Sequence, residues 1–219
     1  MKSVPVRWPR RGTVPLHIPE ADHIGNVYAR GDWYEADLLA TIQNEIRGRP
    51  GLCVDVGAHL GGHSVFFAEI LGHDVWSFEP NPAMLPYLRE NAKNRAIKVW
   101  PVGLGEMTQR AGIIAGPTMN SGMARLGPGD EVEVWTLDDV MRAEGRPWVA
   151  LIKIDVEGME SQVILGASHT LRRCRPLLVT ETSTPEALAE MAKAVEGLDR
   201  GYRRMDRVFG KTPTYLWIS

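Results

Sequence analysis

Carboxylates and glycines fall together at three places in this 219-residue chain. The first is Asp55-Val56-Gly57-Ala58-His59-Leu60-Gly61. Gly57 lets the backbone leave an apolar run sharply, and Gly61 lets the next segment start close to a ligand. Asp55 aims a carboxylate at the turn between them. The second place is Phe78-Glu79-Pro80, a little over twenty residues further on. A carboxylate at that distance from a glycine turn can meet the hydroxyls of a ribose. Such charge-assisted hydrogen bonds each contribute about 1.5–3 kcal/mol. The third is Lys153-Ile154-Asp155-Val156-Glu157-Gly158-Met159-Glu160. In an extended strand, the alternate positions Lys153, Asp155 and Glu157 lie on one face. Burying such groups without partners is costly, so the cluster reads as a site. Asp155 and Glu157 are its candidates for moving a proton.

These residues meet only if the elements around them bring them together. Leu52–Val56 is a short apolar run, the mark of a buried parallel strand, and Ser64–Leu71 after the glycine turn has helical spacing. Further strands are predicted at Asp74–Glu79, Ile97–Val102, Val149–Val156 and Pro176–Glu181. Between them, helices are predicted at Pro82–Asn94 (capped by Asn81), Leu137–Ala143 (capped by Thr136), Glu160–Leu171 and Pro185–Gly197. Upstream, Asp32 is the expected cap of a helix over Trp33–Ile42. Tyr202–Phe209 and Thr214–Ile218 read as a C-terminal antiparallel hairpin around Gly210-Lys211-Thr212-Pro213. Gly103–Asp130 is rich in Gly and Pro, with its clearest turn at Asn120-Ser121-Gly122-Met123, and Glu131–Trp135 alternates like a half-exposed strand. Strands alternating with helices predict an α/β fold, a three-layer α/β/α sandwich with a mostly parallel sheet. Ligands bind such sheets beyond the strand carboxyl ends, where Asp55, Glu79, Val102, Asp155 and Glu181 are all expected to fall.

Residues 1–30 carry Pro5, Pro9, Pro15 and Pro19 and predict an irregular or edge-strand arm ahead of one domain over 31–219. The arm is expected to lie over the cleft and exclude water. Composition is that of a globular chain: 44% hydrophobic, 24% charged, net charge −2. That balance gives no electrostatic case for a nucleic-acid partner, and no apolar run is long enough for a membrane span. Met1–Arg11 has no apolar core of a secretory signal. Cys53 and Cys174 are expected to be buried, reduced thiols, which points to a cytoplasmic protein. His63 and His73 flank the first helix without the spacing of a zinc site.

The spacing Asp-x-Gly-x-x-x-Gly departs from the dinucleotide fingerprint, because His59 stands where the second glycine would be. It is similar to the first motif of class I S-adenosylmethionine (SAM) methyltransferases, in the variant without the middle glycine. Asp55–Gly61, Phe78-Glu79-Pro80-Asn81-Pro82 and Ile152–Glu160 together resemble the FkbM family of SAM-dependent methyltransferases, as do Trp33-Tyr34-Glu35 and Thr136-Leu137-Asp138-Asp139. The resemblance covers roughly residues 30 to 185. It implies a Rossmann-like class I fold and methyl transfer from SAM, usually to a hydroxyl oxygen of a small molecule, sugar or natural product.

By that resemblance Gly57, Ala58, His59 and Gly61 would hold the methionine part of the cofactor, and Asp55 and Ser64 would also belong to its site. Glu79 would hold the ribose, with Pro80 beside it in the cofactor site, and Val102 and Gly103 would lie near the adenine. Tyr34 and Glu35 would close over it, and Asp155 would be nearest the transferred methyl group. A divalent metal at Asp155 is not favoured, and no metal ligand is assigned. Two other readings compete: a non-catalytic SAM-binding scaffold, against which intact Asp55, Glu79 and Asp155 count, and a nicotinamide-dependent oxidoreductase, against which His59 and the lack of a Tyr-x-x-x-Lys dyad count.

Overall fold

The computed structural model describes all residues except 10, 21, 117–120, 183, 199–200, 206–207, 210–212 and the side chain of residue 121. Its centre is a seven-stranded sheet. The parallel strands are β3 (Leu52–Val56), β4 (Val75–Phe78), β5 (Ile97–Trp100), β9 (Val149–Ile154) and β10 (Leu177–Glu181). Two strands complete the edge, β11 (Arg203–Arg204) and β12 (Thr214–Ile218), with β12 antiparallel to both β10 and β11. The order across the sheet is β11-β12-β10-β9-β3-β4-β5. The chain therefore starts in the middle at β3, runs to one edge, and returns to build the other half from β9. The reversal falls between β3 and β9, which is where ligands bind in doubly wound sheets.

Alternation along each strand feeds two cores. Cys53, Leu151 and Leu177 point to one face, and Val54, Ile152 and Leu178 to the other. The first face is covered by α2 (Ala36–Glu45) and α3 (Gly62–Phe66), the second by α5 (Leu137–Ala143), α6 (Glu160–Gly166), α7 (Ser168–Cys174) and α8 (Pro185–Glu196). This is the expected three-layer sandwich. Cys53 and Cys174 are both buried free thiols. No helix among the described residues is long and apolar enough to cross a membrane.

Several boundaries differ from the sequence expectation. Of the two expectations for residues 1–30, an irregular or an edge-strand arm, the described residues follow the strand, with a helix that neither foresaw. They form an antiparallel hairpin, β1 (Lys2–Trp8) with β2 (Gly12–Ile18), and then α1 (His23–Ala29), capped by Asp22. Pro5 lies opposite Pro15 in this two-stranded ribbon, where each strand has a free edge that needs no proline N–H. Its inner residues Val4, Val6, Trp8, Val14, Leu16 and Ile18 join the first core. The helix expected from Asp32 begins instead at Ala36, because Glu35 takes a left-handed conformation (φ 54°).

Asn81 closes a turn by accepting a hydrogen bond from the Ala83 N–H (3.0 Å), and α4 (Leu85–Ala92) starts after it with Pro86 in its first turn. The helix expected over Ser64–Leu71 starts at Gly62 and widens into a π turn over Phe67–Leu71. The helix expected over Glu160–Leu171 is broken into α6 and α7 at Ala167.

Val102 lies beyond β5. The chain leaves the main sheet there for a second sheet of β6 (Gly103–Leu104), β8 (Arg125–Trp135) and β7 (Gln109–Ile114). The Glu131–Trp135 strand is thus the end of a longer one. Of the expected turns, Asn120 and Gly210-Lys211-Thr212 lie outside the described residues, while Ser121–Met123 form a single 3-10 turn.

Candidate active site

Two connected hollows open at the carboxyl ends of the central strands. The larger, about 900 Å3 out to its mouth, is walled by Val56 and Gly57 after β3, Glu79 and Pro80 after β4, Asp155 and Val156 after β9, and Glu181 at the end of β10. Its far side is apolar: Phe78, Leu104, Ile113 and Leu126. The smaller recess, about 320 Å3, is lined by Asp55, Gly57, Ala58, His59, His63, Lys153 and Asp155. Ile24, Tyr34, Gly57, His59 and Asp155 face both.

The glycine turn is shaped by backbone contact. Gly57 has φ +77°, and a Cβ there would stand 1.8 Å from the carbonyl oxygen of Asp155. The turn must pass that close because the Asp155 N–H donates to the Val56 carbonyl at 3.0 Å, joining β3 to β9 at the switch point. Glu79, 7% exposed, binds the turn from the other side. One of its oxygens accepts from the His59 N–H at 2.7 Å, the other from the Asn81 N–H at 2.8 Å. Burial nevertheless pushes its carboxyl up to about 7.

Beneath the turn, Asp55 is fully buried and accepts from the Ser64 hydroxyl at 2.5 Å, which in turn accepts from Ser77 at 2.7 Å. Its other oxygen has no hydrogen-bond partner and lies 3.9 Å from the Lys153 ammonium. Lys153 donates to Asp155 at 3.0 Å. Burial disfavours the ammonium, but Asp155, Asp55, Glu35 and Glu181 together outweigh it and raise the lysine above its ordinary value. One cation thus stands among four carboxylates.

Burial raises Asp55, takes Glu35 and Glu157 up to about 7, and takes Glu181, with Asp155 and Glu35 nearby, up to about 9. His59 and His63 are pushed down by burial. Among the described residues no group of three or more His, Cys, Asp or Glu side chains is arranged to hold a metal ion.

The structure brings Tyr34, Asp55, Gly57, Ala58, His59, Glu79, Pro80, Gly103 and Asp155 to the walls of the two hollows. Five other candidates stand behind those walls. Glu35 turns inward to His63 at 3.5 Å, with Tyr34 stacked on the same imidazole. Gly61 begins α3 against Leu88, Ser64 supports Asp55, and Val102 belongs to the core. Glu157, half-buried and left-handed (φ 55°), follows the wall residue Val156 without lining either hollow.

Sequence reasoning missed the apolar wall of Leu104, Ile113 and Leu126. These come from the second sheet, and neither a motif nor a spacing announces them. Asn81 and Arg125 were also missed, although Asn81 stands beside two singled-out residues.

A parallel sheet reversing between β3 and β9, an antiparallel last strand inserted near the edge, and a glycine turn clasped by a strand-end glutamate define the Rossmann-like fold of SAM methyltransferases. Residues 55–204 match the Methyltransferase FkbM domain, and the chain belongs to that family. Among solved structures, the methyltransferase FkbM of Methylobacillus flagellatus superposes with a TM-score of 0.57 at 22% identity, over 78% of this chain and 44% of that one. Magnesium protoporphyrin IX methyltransferase (ChlM) from Synechocystis, solved with bound SAM, superposes with 0.52 at 12% identity, over 92% and 86%. The hexuronic acid methyltransferase AglP of Haloferax volcanii is 26% identical over 130 residues, 57% of this chain and 53% of the relative. The chain therefore matches about half the length of that relative.

Proposed function

We propose that this protein transfers a methyl group from SAM to a hydroxyl oxygen of a sugar or sugar-bearing small molecule. The observation that carries the reading is the Asp55–Gly61 turn clasped by buried Glu79 at the switch point of an FkbM-family domain. The chemistry of the hollow suits the cofactor: an apolar slot for a purine, a carboxylate for a ribose, and a surplus of carboxylates over Lys153 for a cationic ligand. Asp55 keeps one buried oxygen beside the turn that has no hydrogen bond and faces the Lys153 ammonium at 3.9 Å.

When bound, SAM supplies a methyl group on a sulfonium centre, open to direct displacement. The chain's share is then to orient. Gly57, Ala58 and His59 would hold the amino-acid end, Glu79 the ribose, and Gly103 with Leu104 and Leu126 the base. Tyr34 and Asp155, facing both hollows, would bracket the point where the acceptor oxygen arrives. Holding reactants in line is worth about 7–11 kcal/mol of barrier. A sugar acceptor is supported by the similarity to a relative named for a hexuronic acid. The two buried free thiols support a reducing compartment, the cytoplasm.

Calorimetry with SAM, S-adenosylhomocysteine (SAH) and NAD tests the cofactor. Binding of the first two without NAD is expected, and binding of NAD alone would overturn the reading. Mass spectrometry on a panel of glycosides and uronic acids, reading a gain of one CH2, then identifies the acceptor. A gain on carbon or nitrogen in place of oxygen would overturn the O-methylation.

A further inference from the structure

Three carboxylates reach the wall of the larger hollow: Glu79, Asp155 and Glu181. Two are already engaged. Glu79 spends one oxygen on each of two backbone N–H groups. Asp155 accepts from the Lys153 ammonium, which a buried lysine cannot do without. Glu181, the last residue of β10, has neither a side-chain hydrogen bond nor an ion pair among the described residues. An acid in that position, partly shielded from water and ringed by like charge, has a purpose in its cleft or a steep cost.

We propose that Glu181 is the proton-accepting carboxylate of this cleft, carrying a proton while the cleft lacks a cation and surrendering it when a cationic cofactor docks. The proposal rests on the methyltransferase reading above. The groups facing Glu181 come from each neighbouring element: Asp155 and Lys153 from β9, Glu157 from the loop after it, and Tyr34 and Glu35 from the segment ahead of α2. On the other side, β12 offers only Thr214 opposite it in register.

Three carboxylates against one ammonium favour the neutral acid, as does burial, and hold Glu181 at about 9. A sulfonium charge entering the same hollow reverses that balance, because a nearby cation favours the ionised form. The carboxylate so formed can take the acceptor's proton. The O–H bond breaks, the proton passes to a Glu181 oxygen, and the electron pair stays on the acceptor oxygen. That pair forms the bond to the methyl carbon as the carbon–sulfur bond breaks. Cofactor binding would therefore switch on the base.

The test needs no acceptor. SAM and SAH are titrated into the wild type and Glu181→Gln at about pH 8, in buffers of differing ionisation enthalpy, so that the number of protons released is read directly. At that pH Glu35, Glu79 and Glu157, held at about 7, are mostly ionised already. SAM is expected to release roughly one proton more from the wild type than from Glu181→Gln, while SAH, with no sulfonium charge, shows little difference between them. Retained SAH affinity in Glu181→Gln shows that the variant is folded. Equal proton release by SAM from the two proteins overturns the proposal, and so does an equal excess with SAH. If the wild type binds neither ligand, the methyltransferase reading itself falls and this one with it.

Discussion

The backbone N–H of His59 and the carboxylate of Glu79 meet at 2.7 Å. The turn after β3 and the acid after β4 are therefore one unit, built from residues twenty positions apart. The acid is pre-placed by the turn it serves, with one oxygen on the His59 N–H and the other on the Asn81 N–H.

Replacing Glu79 with Ala removes both the proposed ribose contacts and the clasp on the turn. SAM and SAH affinity should fall by about tenfold or more, since each charge-assisted bond is worth about 1.5–3 kcal/mol. Calorimetry on the folded variant decides it, and unchanged affinity would move the ribose site elsewhere.

Gly57 tolerates no side chain. In Gly57→Ala the new Cβ would have to displace the Asp155 carbonyl, which lies 1.8 Å from its ideal position, at a φ that favours glycine. Prising β3 from β9 at the switch point should lower stability by more than about 3 kcal/mol. Thermal melting would show it, and a melting temperature within about 2 °C of wild type would contradict the close approach.

The N-terminal hairpin should behave as core. Trp8 packs edge-on against Phe66 (4.7 Å) and Trp33 (6.4 Å), and no residue of β1 or β2 lines either hollow. The two strands thus do not provide the expected cover over the cleft; from residues 1–30 it is α1 that reaches the hollows, with Ile24 lining both and Tyr28 the smaller. Trp8→Ala is expected to cost about 3–5 kcal/mol, and deleting residues 1–19 to cost the fold. A truncated protein that melts normally and differs only in KM for the acceptor would restore the cover.

Stability without ligand should fall as pH rises. Glu35, Glu79 and Glu157 are held at about 7 and Glu181 at about 9, above the ordinary carboxyl range. Between those limits the folded chain holds more protons than the unfolded chain. The contribution of these groups is therefore complete below the ordinary carboxyl pKa, and is lost as pH rises through about 7 and then about 9. Melting temperatures from mildly acidic to mildly alkaline pH would show the decline, and Glu181→Gln should flatten its upper part. A melting temperature that climbs over the same range would refute these protonation states.

The local chemistry was legible in the residues themselves. Mostly apolar runs of five to eight residues, each with a carboxylate or a glycine at or next to its end, marked the parallel strands and the end at which a ligand binds. Thr136 caps α5, as expected, because a hydroxyl at that position satisfies a backbone N–H within one turn. Such signals need only near neighbours in the chain.

What each acid does once it arrives was decided by packing between distant segments. Asp155 and Glu181 look alike as strand-end carboxylates, yet Lys153 engages one and leaves the other. Glu35, at a position that reads as the first turn of a helix, turns inward because a left-handed backbone points it at His63. The proline-bearing start of the chain became core because two facing strands bury alternate residues that neither could bury alone. The apolar wall came from a second sheet of which only the Glu131–Trp135 end of β8 was legible as a strand. Periodicity and caps act over a few residues, whereas charge, burial and pairing depend on which segments the tertiary fold sets side by side.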